Sequence, residues 1–415
     1  MKIWLTEIGE PLPVDAGARL MRCGILAQTL AARDHEVTWW ASTYDHARKM
    51  YRRSAAGTVS PSPHLRLELL HASGYRRNVS LARIRHQRTI ARQFTARAEA
   101  IPPPDLLYCC VPTLELTEAA LRYAKARGIP VVVDIRDKWP DIFVDALPAP
   151  MRGIGRLLLH SEFRRARYVF QNATTILAVS DGYLEWGLSH AARGRRSWDA
   201  VFPHAYPRPT LDAVAVARAR GQLEALGVDQ RRVVCAFVGS FGRTYDLGTV
   251  IDAARLLQRT GREDVQFVLA GDGEQRAAWH AQAAGLSNVV FTGWISAEAI
   301  ATLLGVARIG LAAYAADAPQ GIPNKLGEYL SAGLPVVSSL RGETERFLKD
   351  AACGATYAAG DAPALAALLR QLTANESVRG EMGRRALGCY NAGFSAQQVY
   401  GRLADHLEGL RPSTL

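Results

Sequence analysis

Apolar runs of four to six residues alternate with amphipathic stretches along the whole chain. KIWLT precedes GARLMRCGILAQTLAARD, whose apolar positions recur at helical spacing, and EVTWWAS follows. DLLYCCV, ELTEAALRYAKARG and PVVVDI continue the pattern, then TTILAVS and VFPHAY. After a break at Pro207–Pro209 and a helical stretch around Val214–Leu226, the alternation restarts. It runs through RVVCAFVGS, VQFVLAG, NVVFTGW, IGLAAY and PVVSS, with helical segments between them. Buried strands separated by amphipathic helices are the signature of βαβ units and parallel sheets. The spacing therefore predicts an α/β protein of two doubly wound, Rossmann-like halves, over 1–208 and 209–394. Two such sheets facing across a cleft suit an enzyme that brings two substrates together, or a protein that closes on one. A last helical segment begins near Ser395 and is long enough to pack back on the first half. The length of 415 residues agrees, because single cores stop growing near ~250–300 residues.

Composition narrows the class. Hydrophobic residues make up 48% and charged residues 21%, which excludes a disordered or fibrous chain. There is no uncharged apolar run of ~18 residues, so no membrane-spanning helix is expected. Glu7 and Glu10 interrupt the start before a signal-type stretch develops, so a cytoplasmic protein is expected. The six cysteines show no CxxC spacing, and LLYCCVP and VVCAFVG place several inside apolar runs; they are assigned no chemistry. The net charge is +11 and unevenly spread. Twelve basic residues lie between His46 and Ala100 against Glu68 and Glu99 alone, and a second basic stretch, MRGIGRLLLHSEFRRARYVF, follows at 151–170. Such clusters attract phospholipid headgroups, nucleic acid or phosphorylated substrates; the alternative is a solvated helical face. RNA- and DNA-binding patterns with interleaved aromatics are absent, so nucleic acid is not the expected partner.

The segment QGIPNKLGEYLSAGLPVVS carries the most chemistry. Pro323 precedes a helix expected to start near Asn324–Leu326, and Gly333-Leu-Pro ends it. A helix amino terminus favours phosphate, and Lys325 in the first turn adds a full charge. Glu328 lies one turn on, where a carboxylate can accept two hydrogen bonds from a ribose diol. Together these describe a site for a nucleotide-diphosphate sugar; the alternative is an ordinary solvated Lys–Glu pair. Upstream, Phe237-Val-Gly-Ser-Phe-Gly-Arg243 follows a strand. Gly239, Ser240 and Gly242 let backbone approach a ligand, and Arg243 can neutralise diphosphate.

PNKLGEYLSAGLPVV, with RIGLAAY, VLAGDGEQR and NVVFTGWIS before it, resembles the donor-site signature of family-4 retaining glycosyltransferases of the GT-B fold, bacterial polysaccharide enzymes in particular. The resemblance implies a donor-binding second half and an acceptor-binding first half. It puts Glu328 on the donor ribose, and Gln320 at the position where many members carry a glutamate near the donor sugar. It matches Arg243 to the arginine that holds pyrophosphate, while the lysine expected after it is replaced by Thr244; Lys325 is the candidate substitute. It likens Gly271 and Gly273 of the GDG turn, and Trp294, to base-contacting loops, although a Gly-Asp-Gly turn is common and a lone Trp is more often core.

In the first half, the loop after KIWLT holds Gly9 and Gly17. Arg19 and Arg22 follow on the first helix, one turn apart and pointing the same way, and are expected to meet an acceptor phosphate; the alternative is two solvated arginines. In VVVDIRDKWPDIF, Asp137 is the candidate to orient or deprotonate an acceptor hydroxyl, with a helix cap at Asp137 or Asp141 as the competing reading. Similar D-W-P loops in the related enzymes face the acceptor. His204 in VFPHAYP reads as core or hinge. No DxD triad and no His–Asp–Glu ligand spacing occurs, so neither metal nor cofactor is expected. Charge neutralisation then falls to Arg243, Lys325 and helix amides. The resemblance implies retention of anomeric configuration, the departing phosphate itself helping to take the acceptor proton. The expected partners are a nucleotide-sugar donor, UDP-linked rather than GDP-linked, a glycan or lipid-linked acceptor, and an anionic surface at the inner membrane face. A nucleotide-sugar epimerase and a non-catalytic nucleotide-sugar binding subunit are the alternatives.

Overall fold

The computed structural model describes residues 1–16, 19–78, 80–208 and 210–410. The chain divides into two units, Met1–Pro203 with Val399–Leu415, and His204–Gln398. The division expected between 208 and 209 falls between 203 and 204, and the return expected at 395 falls at 399. His204 is the first residue of the second unit.

The strands of the first unit are β1 (Lys2–Thr6), β2 (Glu36–Ser42), the short pair β3 (Tyr44–Asp45) and β4 (Met50–Tyr51), β5 (Gly57–Ser62), β6 (Leu65–Leu70), β7 (Leu106–Val111), β8 (Val131–Ile135), β9 (Thr175–Ala178) and β10 (Ala200–Val201). Eight of them form one sheet in the order β10-β9-β8-β7-β1-β2-β6-β5, parallel except for β5 against β6. The side chains of β7 and β8 are buried throughout, as a parallel sheet covered on both faces requires. Trp4 packs on Trp40 at 5.1 Å between ring centroids and Trp40 on Phe94 at 4.8 Å, which ties β1 and β2 to the helix Leu81–Ala98. The final helix, Ala396–Gly409, carries His406 against Trp198 and Phe202 and Glu408 against His35. The strand expected over VFPHAY is only the two residues of β10, Ala200–Val201, which reach the first residue of that run and no further. The sequence reading passes over β5 and β6, although LRLELL alternates, because they lie inside the basic window.

The second unit holds β11 (Val233–Val238), β12 (Val265–Ala270), β13 (Val289–Gly293), β14 (Ile309–Ala312), β15 (Val336–Ser338) and β16 (Gly354–Thr356). They form one wholly parallel sheet, β13-β12-β11-β14-β15-β16. Separate apolar clusters cover its two faces, one around Tyr329, Leu330 and Val336 and the other around Phe237, Phe267 and Leu257. Cys23, Cys109, Cys110, Cys235 and Cys353 are buried and unpaired, and Cys389 is half-buried.

Both sheets reverse strand order once, between β1 and β7 in the first unit and between β11 and β14 in the second. Ligands of doubly wound sheets bind outside the carboxyl ends of the strands at such a reversal. Each unit therefore has one predicted crevice, and the loops that leave those strands decide its chemistry.

Candidate functional site

In the second unit the loops after β11 and β14 meet. The helix Asn324–Ser331 begins beyond β14 with Pro323 at its N-cap, and among the described residues no side-chain hydrogen bond caps its first amides. Its inner face is fixed by burial of Leu326, Tyr329 and Leu330, each worth roughly 1.5–3 kcal/mol. The Tyr329 hydroxyl donates to the Leu311 carbonyl at 3.0 Å and accepts from the Val238 amide at 3.3 Å, pinning the helix to β14 and β11.

That packing sends Lys325 inward. It is 6% exposed, donates to the Val238 carbonyl, and stands 4.3 Å and 4.4 Å from the ring centroids of Phe237 and Tyr245. A Cβ on Gly239 would overlap its Nζ, so the ammonium lies directly under the first turn of the β11 loop. Burial lowers the Lys325 pKa to about 8, and the Glu328 charge opposes that shift. Gly271, at φ +145°, approaches just as closely: a Cβ there would overlap the Gly239 carbonyl. Gly273 lies under the Phe241 backbone in the same way. The Gly239–Arg243 loop, the GDG turn and the start of the helix are thus one surface, built from residues more than eighty positions apart.

The remaining candidates surround it unevenly. Glu328 is half-buried and close enough for its charge to act on Lys325, Tyr245 and Tyr314. Asn324 is exposed and donates to the Tyr206 hydroxyl at 3.3 Å. Leu326 is core, so it shapes the helix and touches no solvent. Ser240 is exposed. Arg243 is 82% exposed and lies 3.2 Å from Glu274. Gln320 is half-buried, and its carboxamide oxygen is buried with no hydrogen-bond partner. Trp294 is 69% exposed beyond the end of β13, which overturns the alternative that made it core. Tyr245 and Tyr329, which aim the lysine and the helix, were missed; their aromatic-after-glycine and i,i+4 placements were the available signals.

Residues 232–375 match the model of the glycosyl transferases group 1 family. Over nearly their whole length, three solved structures resemble the chain. HepE of Anabaena, solved in complex with UDP, is 16% identical over 99% of this chain and 100% of its own, at a TM-score of 0.69. Sucrose-phosphate synthase of Thermosynechococcus elongatus is 17% identical over 99% and 98%, at 0.73. WaaG, a glycosyltransferase involved in lipopolysaccharide biosynthesis, is 17% identical over 98% and 100%, at 0.67. The fold is GT-B. No curated protein matches the sequence closely enough to count as a relative.

The first Rossmann-like unit of this GT-B chain differs from expectation. Arg22 is not a surface arginine. It is 1% exposed and grips Asp134 of β8 at 2.7 and 2.9 Å, while donating to the Phe202 and Pro203 carbonyls at 2.8 and 3.1 Å. The helix starts only at Arg22, so Arg19 precedes it, exposed, and the two do not share a helical face. Gly17 lies outside the described residues. The helix amino terminus is already occupied: the Glu10 carboxylate accepts from the Cys23 and Gly24 amides at 2.9 and 3.3 Å. Arg22 and the helix end are therefore both engaged by the protein's own carboxylates, Asp134 and Glu10.

Arg136 completes this crevice. It lies 3.1 Å from Asp134 and 3.3 Å from Glu7, and also bonds Glu10. Three carboxylates thus share two guanidinium groups. Burial raises the Asp134 pKa, but the Arg22 and Arg136 charges outweigh it and hold the carboxyl well below its usual range. Glu7 is the odd one: burial pushes it up to about 7 against the pull of Arg136. Asp137, next in the chain, is half-buried, accepts from the Lys138 amide at 2.9 Å, and is raised by burial. It caps no helix, since the next one runs Asp141–Asp145 with Pro140 at its N-cap. Asp141 instead pairs with His190 at 2.8 Å and Trp186 at 3.0 Å, so neither aspartate takes the capping role.

Proposed function

We propose that the protein is a retaining, metal-independent glycosyltransferase that moves a sugar from a nucleotide-diphosphate donor, UDP-linked rather than GDP-linked, to a glycan or lipid-linked acceptor. One observation carries this reading. At the strand-order reversal of a unit that matches the group 1 family, a buried lysine, uncapped helix amides and a glycine loop converge on a space suited to diphosphate. Lys325, Arg243 and the amides neutralise the leaving diphosphate. Glu328 accepts from the ribose hydroxyls, and Gln320 offers its unpaired carbonyl to a sugar hydroxyl. Gly271, Gly273 and Trp294 border the base. Asp137 orients the acceptor hydroxyl on the first unit, and the departing phosphate oxygen takes its proton as the new glycosidic bond forms. The UDP complex of HepE and the pathway named for WaaG support a UDP donor and a role in bacterial cell-surface polysaccharide synthesis. The basic stretches of the first unit suit a peripheral place at the inner membrane face.

The test separates pyrophosphate from pentose. UDP should raise the melting temperature of the whole chain, by linkage of binding to folding. Glu328→Gln should weaken UDP at least tenfold while leaving inorganic pyrophosphate binding unchanged, because pyrophosphate has no diol. Equal binding of UDP by the variant and the wild type would remove Glu328 from the site.

The pH profile gives a second check. Lys325 titrates near 8 without ligand, so its charge is lost as pH rises through that value. UDP affinity should therefore fall above pH 8, and binding at pH 8.5 should draw a proton from the buffer. Calorimetry in two buffers of different ionisation enthalpy measures that uptake; a pH-independent affinity between 7 and 10 contradicts the lysine's role.

A further inference from the structure

A second cavity of the first unit, about 170 Å³, lies against the helix Leu81–Ala98. Ile84, Leu114, Trp139, Phe143 and Leu159 give it a mostly apolar wall, and Arg83 and Asn78 also line it. Glu115 and Glu162 reach it too, but both are engaged by Arg165, at 3.6 and 2.6 Å.

Arg83 joins this cavity to a cluster of cations. Its guanidinium lies 4.6 Å over the Trp139 ring and 5.8 Å from the Tyr75 ring; one amino group donates to the Asn78 carbonyl at 2.9 Å, and Nε is buried with no hydrogen-bond partner among the described residues. Lys49 stands 4.8 Å over the same Tyr75 ring, 2.6 Å from Asn78 and 3.4 Å from His46. His46 is 2.6 Å from the Tyr75 hydroxyl. Burial and the neighbouring Lys49 and Arg83 charges lower His46 to about 4, and burial and Arg83 lower Lys49. The nearest carboxylate in sequence, Asp45, is spent on Arg52 at 3.3 Å and on the Ala47 and Arg48 amides. Asp45 still acts through space on His46 and Lys49, and the Arg83 charge reaches Asp137, so the basic groups gathered on one aromatic ring are only partly balanced, which favours an anion between them.

We propose that this cavity binds a lipid phosphate, with the phosphate held between Arg83 and Lys49 and the first segment of the chain in the apolar pocket. This rests on the reading of a lipid-linked acceptor and gives that acceptor a place. Arg offers phosphate a two-pronged donor and Lys a point charge. Apolar cavities on the order of 150 Å³ take a benzene-sized molecule, so the pocket holds only the start of a long chain. The rest has an exit: Leu81, next to Ser80 of the cavity wall, is 80% exposed, and Leu157 and Leu158, next to Leu159, are 75% and 78% exposed. Exposed leucines beside the exposed Arg152 and Arg156 suit the surface of an anionic bilayer.

Titration calorimetry of the whole chain with farnesyl phosphate, farnesol and inorganic phosphate, below the micelle concentration, tests the assignment. Farnesyl phosphate should bind at least tenfold tighter than either fragment. Arg83→Gln should reduce it to the farnesol level. Ile84→Gln should weaken farnesyl phosphate while leaving inorganic phosphate unchanged, and far-ultraviolet melting curves identify any variant that fails to fold. Farnesyl phosphate binding no tighter than farnesol, or indifferent to both substitutions, overturns the proposal. The UDP-induced rise in melting temperature, read on the same samples, should persist in both variants. Its absence in the wild type overturns the donor reading alone, because the cavity belongs to the other unit.

Discussion

Lys325→Met is expected to cut sugar transfer at least a hundredfold and, at the same time, to raise the melting temperature. Methionine keeps the length and apolar stem of the lysine, so Phe237 and Tyr245 retain a packing partner. What disappears is a cation held in a dry place. A pKa near 8, against an ordinary value of 10.5, is worth about 3 kcal/mol at about 1.4 kcal/mol per unit. The sign follows from proton counting. The folded state binds fewer protons than the unfolded chain between about 8 and 10.5, so stability rises with pH across that window and is lowest below it. At neutral pH the native protein therefore carries a strained charge, which under the proposed function is compensated when a diphosphate binds. Losing the Val238 hydrogen bond offsets part of the gain, leaving a rise of a few degrees, at about 2–4 °C per kcal/mol for a unit of this size. A hundredfold loss corresponds to about 2.7 kcal/mol of transition-state stabilisation. Calorimetric melting and a radiolabelled transfer assay on one preparation check both halves. A variant that melts lower and still transfers would show the lysine to be a structural residue.

Arg22→Met is expected to be among the most destabilising single changes in the first unit. It leaves Asp134, with no exposed surface, without its two-pronged partner, and frees the Phe202 and Pro203 carbonyls. Removing one member of a buried pair costs about 3–5 kcal/mol, because the other charge stays where water cannot reach it. Arg136 remains 3.1 Å from Asp134, but it must also serve Glu7 and Glu10. The double change Arg22→Met with Asp134→Leu should recover most of the loss, since two apolar groups of similar volume replace two charges. Urea unfolding of the wild type, both single variants and the double variant measures the coupling. Additive effects would mean that the pair contributes nothing specific.

Glu7 shows how such a network hides chemistry. Two guanidinium groups serve three carboxylates, and the one left worst paired sits near neutral pKa. Its position in the chain, one residue beyond β1, gave no hint of this, because the two arginines and Asp134 come from residues 22, 134 and 136.

The alternation of apolar runs and amphipathic helices determined the fold class. Its restart after Pro207 determined that there are two units, since period-two and period-3.6 patterns are local and survive in one dimension. Residue chemistry at Lys325, Glu328 and the Gly239–Arg243 loop likewise marked the second crevice, because a helix start and a glycine turn are also written in a few consecutive positions. Tertiary structure alone decided the partners. It turned Arg22 from a ligand-facing cation into half of an interior pair with a residue 112 positions away, and filled the neighbouring helix end with Glu10. It drew Lys325 beneath Gly239, 86 residues earlier, and set Arg83, Lys49 and His46 around one tyrosine. Charge and burial act through space, so whether an arginine meets a carboxylate or solvent depends on which strands lie side by side, and no local pattern records that.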